Sequence, residues 1–540
     1  MSFIKVQKLV TDNQGRILSG SASIVDSVYD KAAASGHSRQ EVRENLGKVI
    51  RLSPDLKNGM FLSPTRGLVF YDAMQDAFSP ATMEEAKMAS PDLFPEAAVH
   101  TVFGDSYLLF SFMEECGLLS VLQAVFPKKE DYERMLCHLL HGVLKDGSKI
   151  SCDNFIQKSF ASYVLSDIPV QPLKSDTRFF SMLGDDKVKM SFFSEFVALM
   201  RKTVPEFGHG CYVDSTPLPN DIEDNPFNAL CCHGVNSSEV MSRLILVLDT
   251  ATGLPVWYDI IPGNVLDINT VMTTVNDVAA SLGIEIESLV LDAGYVSREL
   301  VDTYHIGSTK TVIGRMPARR GFPFKELYWE TKGLMDRGKY AFVRNGHAYF
   351  GYKKEIELFG QREFAYVYVD KFNALKRFSD YMTENEEEYE CLKAKDKDWM
   401  TVKYGFFVLV SNLDDTPKSL LSNYFGRTEV EVVFKTSKEY LGLLPLSKWT
   451  DETVRGKILH DIIDTIALLL MRKQLMGKGV SVSELLGKCQ SLMCFKDRNN
   501  YVTVETPNKQ VKEYYKLFNM EVPSRLKLGT FTKQIFRQNV

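Results

Sequence analysis

The sequence predicts an α/β protein: a mixed sheet flanked by helices, interrupted by a β-rich insertion and preceded by an N-terminal accessory region. Three observations predict it. Between Cys211 and Ile313, β-rich and helical runs follow one another in the order three strands, helix, strand, helix, strand. After a long interruption, the apolar run Tyr404-Gly-Phe-Phe-Val-Leu-Val-Ser411 resumes that architecture. An amphipathic stretch comes next, with Val430, Val433, Phe434, Leu441 and Leu444 on one apolar stripe. A chain of 540 residues has room for ~3–4 structural units and a large core.

Residues 1–100 lack strong periodicity and carry turn signals at Asn13-Gln-Gly, Ser53-Pro and Ser63-Pro, which predicts a small β-rich or mixed unit. Lys5, Lys8, Arg16, Arg39, Arg43, Lys48 and Arg51 lend it basic character, so a DNA-binding role and a plain solvated surface are both open. Residues 101–205 turn helical, with Leu108, Phe112, Leu118, Leu122, Met135, Leu139, Leu140 and Val143 as core positions. Residues 206–314 hold the first part of the α/β core. There Cys211-Tyr-Val213 is a strand ending in Asp214, and strands at 243–249 and 255–261 join through Thr252-Gly253. A helix over 270–282, a strand Ser288-Leu-Val-Leu291 ending in Asp292, a helix over 298–304 and a strand at 310–313 complete it. Residues 315–400 form the insertion, from the basic, turn-rich Arg315-Met-Pro-Ala-Arg-Arg-Gly321 through strand-like runs at 347–352 and 364–369 to a charged helical stretch. Residues 401–480 return to the core, and 451–476 read as a largely apolar helix packed beneath the amphipathic one. The helical tail, 481–540, includes Lys509, Lys512, Lys516, Arg525, Lys527, Lys533 and Arg537, a set that suits DNA contact or a solvated basic end.

With 45% hydrophobic and 25% charged residues, the composition is that of an ordinary globular protein. No apolar run approaches the ~20 residues that cross a bilayer, and the start lacks the long apolar segment of a secretory signal; a soluble cytoplasmic protein with no membrane partner is expected. The nine cysteines include no Cys-x2-Cys pair, so reduced structural thiols are favoured, with Cys231-Cys232-His233 a weak zinc candidate. A net charge of −5 argues against indiscriminate coating of nucleic acid but leaves local basic patches open. No Walker-type loop or dinucleotide fingerprint calls for a nucleotide cofactor.

The most informative stretch is Tyr424-Phe-Gly-Arg427-Thr-Glu-Val-Glu431 and onward to Lys438. At ~100° per residue, a helix here gathers Tyr424, Arg427, Glu431 and Lys438 within an arc of roughly 60°. A solvated face with Glu431 paired to Lys435 would read the same way. The spelling Tyr-x2-Arg-x3-Glu-x6-Lys resembles the signature of cut-and-paste transposases, the DDE enzymes of the insertion sequence four family. The resemblance extends to Val213-Asp-Ser-Thr, Leu291-Asp-Ala-Gly-Tyr and the stretch from Arg243 to Asp267, and covers roughly 205–315 and 400–475.

It implies a ribonuclease-H-like catalytic domain in which Asp214, Asp292 and Glu431 are the catalytic, metal-binding carboxylates. Taken singly, each aspartate also reads as an Asx turn at a strand end. Three carboxylates in one cleft repel unless a cation neutralises them, and hard oxygen ligands select Mg²⁺ or Mn²⁺, here two ions, for in-line displacement at phosphorus. The resemblance further implies that Tyr424, Arg427 and Lys438 hold transposon-end DNA, with an aromatic anchor of the helix start as the plainer role for Tyr424. The partners it implies are double-stranded DNA, as terminal inverted repeats and as target, and a second copy of the chain in a synaptic homodimer. A silent DNA-binding relic and a nuclease without strand transfer remain as alternatives. Trp329 reads as a DNA wedge or, more simply, a packed tryptophan, and His460 as a core histidine.

Overall fold

The structure, a computed structural model, describes residues 2–11, 17–29, 38–89, 100–145, 151–165, 176–219, 222, 225–230, 239–265, 267–292, 294–305, 310–334, 336–436, 444, 446, 448–496 and 500–537. Cys231, Cys232, His233 and Lys438 lie outside them. The chain divides into two compact units, 1–99 and 100–540.

The first unit is an antiparallel meander of strands β1 (Ser2–Thr11), β2 (Ile17–Tyr29), β3 (Ser38–Leu52), β4 (Asn58–Ser63), β5 (Gly67–Asp72) and β6 (Ala77–Pro80). Alternation along the strands turns Ile4, Ile24, Leu46, Val49, Phe61 and Tyr71 onto one buried face. Gly47, at φ +73° where the β2–β3 register shifts, brings the strands closer than a side chain allows, since a Cβ would stand 2.2 Å from the Leu62 carbonyl. The basic character expected of this unit is largely cancelled. Arg39, Arg43 and Arg66 pair with Glu41, Asp76 and Glu44, and residues 1–99 hold eleven lysines and arginines against twelve aspartates and glutamates.

The second unit opens with the short strand β7 (Thr101–Val102) and a helical layer that includes Gly104–Glu115, Leu118–Val125, Lys129–Leu144, Thr177–Leu183 and Asp186–Met200. The eight positions predicted as core in this region are all buried. Its centre is the helix Asp451–Gln474, begun by a Thr450/Thr453 capping box and ended by Arg472 and Lys473, which complement the helix dipole. Although its Leu468, Leu469 and Arg472 line one cavity with Val432 and Lys435 of the amphipathic stretch it was expected to underlie, this helix packs mainly on Thr177–Leu183 and Lys129–Leu144. The reason is Gly456: a Cβ there would lie 1.8 Å from the Phe180 carbonyl oxygen, so only glycine lets the two backbones touch. Among the described residues no single helix is long and apolar enough to cross a membrane; Gly104–Glu115 and Leu118–Val125 pass by length and composition only together, as a pair bent by 80°.

The large sheet comprises β8 (Gly210–Pro219), β9 (Ala229–Leu230), β10 (Val240–Asp249), β11 (Pro255–Pro262), β12 (Ser288–Leu291), β13 (Thr311–Arg315), β14 (Ala341–Arg344), β15 (His347–Leu358), β16 (Gln361–Asp370) and β17 (Phe406–Ser411). The antiparallel β11-β10-β8 is continued by β12, parallel to β8, and β13, parallel to β12. A strand order of three, two, one, four, five with this sense is the ribonuclease-H-like arrangement. The helices Asp267–Leu282 and Arg298–His305 make the crossovers to the parallel strands. Beyond β13 the sheet goes on through β17, β16, β15 and β14, all antiparallel. The β-rich insertion therefore extends the large sheet instead of folding as a sheet of its own.

The C-terminal segment folds onto the core while Lys509, Lys512, Lys516, Arg525, Lys527, Lys533 and Arg537 stay exposed. Strands β18 (Met493–Lys496), β19 (Tyr501–Val504) and β20 (Arg525–Lys527) form a sheet that closes on β7. Tyr515, Phe531 and Ile535 are buried in the core, and the Tyr515 hydroxyl donates to the Gly104 carbonyl at 2.5 Å.

Candidate active site

Asp214 and Asp292 are brought together by register. The last rung between the parallel strands β8 and β12 pairs Val213 with Leu291, and each aspartate is the next residue. β8 does not end at Asp214, as expected from sequence, but runs on to Pro219 along its other neighbour, β10. Asp214 is mostly buried, and its Oδ1 accepts the Ser215 backbone N–H at 2.8 Å. The Ser215 hydroxyl in turn accepts from Arg243 at 2.9 Å.

The third carboxylate arrives on a helix crossing this point. Thr416 caps the segment Pro417–Gly426 through its side chain, with Pro417 in the first turn where its missing N–H is not needed. A second segment, Thr428–Lys435, continues after a break at Arg427. The uninterrupted helix expected from Tyr424 onward is thus two helices meeting at Arg427, whose N–H bonds to the Tyr424 carbonyl at 3.1 Å, a tighter i to i+3 pattern. Gly426 sets the height of this helix over the sheet, because a Cβ there would stand 1.8 Å from the Tyr212 hydroxyl of β8. Val430, Val433 and Phe434 are buried as the apolar stripe requires.

Arg427 is where the site converges. Its Nη1 donates to Asp214 Oδ2 at 2.5 Å, and its Nη2 lies 3.6 Å from Asp292 Oδ1 and 3.9 Å from Glu431 Oε1. All three carboxylates therefore lie within 4 Å of one guanidinium, itself only 13% exposed. Glu431, at 65%, is the most open of the three. Tyr424 is buried, with its hydroxyl donating to Asp292 Oδ1 at 3.1 Å. Burial pushes the Asp214 carboxyl up to about 6; Arg427 pulls the other way, while Asp292 and Glu431 add to the rise. Burial and the nearby Asp292 charge push the Tyr424 phenol up to about 12. Burial works against the Arg427 charge, but Asp292, Tyr424, Asp214 and Glu431 outweigh it and raise its pKa.

The structure brings Asp214, Asp292, Glu431, Tyr424 and Arg427 together, while Lys438 lies outside the described residues. Tyr424 and Arg427 face carboxylates here, which is not the contact their sequence pattern suggested. Arg315, at the end of β13, was missed as a neighbour, and its charge acts on the Tyr424 phenol. The signal was its place one residue past the last rung of the parallel pair, Leu291 with Gly314. Trp329 is half-buried against Tyr328 at 4.8 Å, with Lys332 and Lys395 over its ring. His460, Asp461 and Asp464 offer ligand atoms within 4.8 Å of one another, but all are fully buried and Lys457 donates to Asp461 at 3.0 Å, so the group reads as a self-neutralising ion network.

The fold is ribonuclease-H-like, and it brings Asp214, Asp292 and Glu431 together around Arg427. Residues 208–460, a little under half of the chain, match the family model of the transposase DDE domain, which supports a DNA transposase in the general sense. Among solved structures, the piggyBac transposase synaptic complex with hairpin DNA is similar at 10% identity, with a TM-score of 0.38 and 81% of each chain covered. No curated protein matches.

Proposed function

We propose that this protein catalyses cut-and-paste transposition of an insertion sequence of the insertion sequence four type, cleaving DNA at the element's terminal inverted repeats and joining the freed ends to target DNA. The observation that carries the reading is the convergence of Asp214, Asp292 and Glu431 on one point. One guanidinium among three carboxylates leaves the group net negative when all are ionised, and the donors are hard oxygens, so the set fits divalent Mg²⁺ or Mn²⁺. Asp214, Asp292 and Glu431 would hold the metal. When bound, two such ions supply Lewis-acid activation of the attacking oxygen and stabilisation of the leaving one. The chain's own part is to keep the carboxylates in register: the β8–β12 rung fixes the aspartates, and Tyr424 orients Asp292. Arg427 and Lys438 are assigned to DNA phosphate. We place the enzyme in the prokaryotic cytoplasm, acting as a homodimer that bridges two element ends.

The test is Mg²⁺-dependent cleavage of labelled DNA carrying the inverted repeats that flank the coding sequence, comparing wild type with Asp292→Asn. Cutting at the repeat boundary by wild type alone supports the transposase. Tight repeat binding without cutting by wild type would point to a silent relic, and cutting without joining to a target to a nuclease.

A further inference from the structure

The reading above gives Arg427 two tasks that compete. Its guanidinium sits among Asp214, Asp292 and Glu431, yet the same planar fork is assigned to a DNA phosphate. A divalent cation on these carboxylates would meet a like charge within about 4 Å, close enough for strong repulsion in a mostly buried site. Two features hold the arginine where it is. The Tyr424 ring lies 5.6 Å from its guanidinium carbon, and its Nη1 donates to Asp214 on β8. Its Nε is buried with no hydrogen-bond partner among the described residues, so the ion pairs are its main anchorage and could be exchanged for others.

We propose that Arg427 is the exchangeable counter-ion of the carboxylate triad: its pairing there opposes cation binding, and a DNA phosphate that takes the guanidinium relieves that opposition. The inference rests on the proposed function and adds a coupling to it. By linkage, DNA then strengthens cation binding by the same factor by which the cation strengthens DNA binding. The enzyme would thereby load its cation chiefly when DNA is seated.

Binding of Mn²⁺ alone to the full chain, followed by the loss of the free-ion electron paramagnetic resonance signal, tests this without turnover. Arg427→Gln should bind Mn²⁺ about 10-fold tighter than wild type without DNA, a size ordinary for coupling between sites. Arg427→Lys, which keeps the charge, should stay within about 3-fold. Adding repeat-bearing duplex should tighten the wild type and narrow its gap to Arg427→Gln. If Arg427→Gln binds no tighter while Asp292→Asn loses binding, the exchange is overturned and the metal site stands. If Asp292→Asn binds as the wild type does, the metal assignment itself fails. Should Arg427→Gln not fold, by circular dichroism, wild-type Mn²⁺ affinity that duplex leaves unchanged would overturn the coupling.

Discussion

Gly426→Ala is the perturbation that tests the site's architecture most directly. A Cβ at this position would stand 1.8 Å from the Tyr212 hydroxyl and 2.7 Å from the ring carbon that bears it. Ordinary contact requires roughly 3.5 Å, so the surfaces must part by about 1.7 Å. Tyr212 is buried in β8, so its ring is hemmed by packed neighbours and the helix is expected to take up much of the displacement by lifting. Overpacking of this kind costs about 1–3 kcal/mol, offset in part by the ~0.5–1 kcal/mol that alanine gains over glycine in a helix. The effect on catalysis should be larger, because the lifted segment carries Arg427 and Glu431 away from the two aspartates. Misplacement by ~1 Å can cost on the order of 10²-fold in rate. Repeat-end cleavage should therefore fall about 10²-fold while the melting temperature drops by only a few degrees. Tyr212→Phe removes the nearest atom, so a double-mutant cycle with Gly426→Ala should show partial recovery beyond the effect of Tyr212→Phe alone. Wild-type cleavage and melting in Gly426→Ala would refute the claim that this contact sets the helix height.

Glu431→Gln should lower cleavage by on the order of 10³-fold or more while leaving binding to end DNA within a few-fold; equal loss of both in a gel-shift and cleavage comparison would count against its role. Asp214 makes stability pH-dependent. Its folded pKa, about 6, lies above the ordinary 3.8, so between those values the folded chain keeps a proton that the unfolded chain releases, and stability falls as pH rises through that window. Urea unfolding with EDTA should show Asp214→Asn gaining a few kcal/mol on the wild type from pH 4 to pH 7; a constant difference would contradict the burial argument. Asp461→Asn removes a partner of both Lys457 and His460 in a fully buried network, and should cost about 3–5 kcal/mol with no change in Mn²⁺ binding. A lost Mn²⁺ site would instead make that cluster a metal centre.

Much of the catalytic sheet could be read because its strands are buried on both faces and stay apolar throughout, as in Arg243-Leu-Ile-Leu-Val-Leu-Asp249. The run of β8 past Asp214 could not, since Ser215-Thr-Pro-Leu-Pro219 reads as a turn. Those prolines lie beyond the last rung with β12, Leu291 with Val213, so among the described residues the ladder to that strand does not require their missing N–H groups. The partners of the insertion strands were equally hidden. Phe364-Ala-Tyr-Val-Tyr-Val369 announces a strand, but the edge it joins, β17, follows only after an intervening helical stretch, and periodicity carries no information about partners. The tail's helices could be read from Val511, Tyr514 and Tyr515, then Phe531 and Ile535, at helical spacing, but its closing sheet with β7 could not.

For the site, spacing along a helix could place Tyr424, Arg427 and Glu431 on one face, and strand positions could nominate the aspartates. What spacing cannot state is where that face points. A uniform helix would carry its face past the two aspartates at whatever height the apolar stripe allowed. The break at Arg427 and the bare Gly426 beside it let the helix descend onto Tyr212, and that descent turns a surface motif into a ring of ion pairs. The arginine also acts on the carboxylates themselves. Three carboxylates this close would otherwise disfavour their own charged forms, and one guanidinium within 4 Å of each offsets part of that repulsion. Stability of the site and its capacity to accept a cation thus depend on the same side chain, in opposite directions.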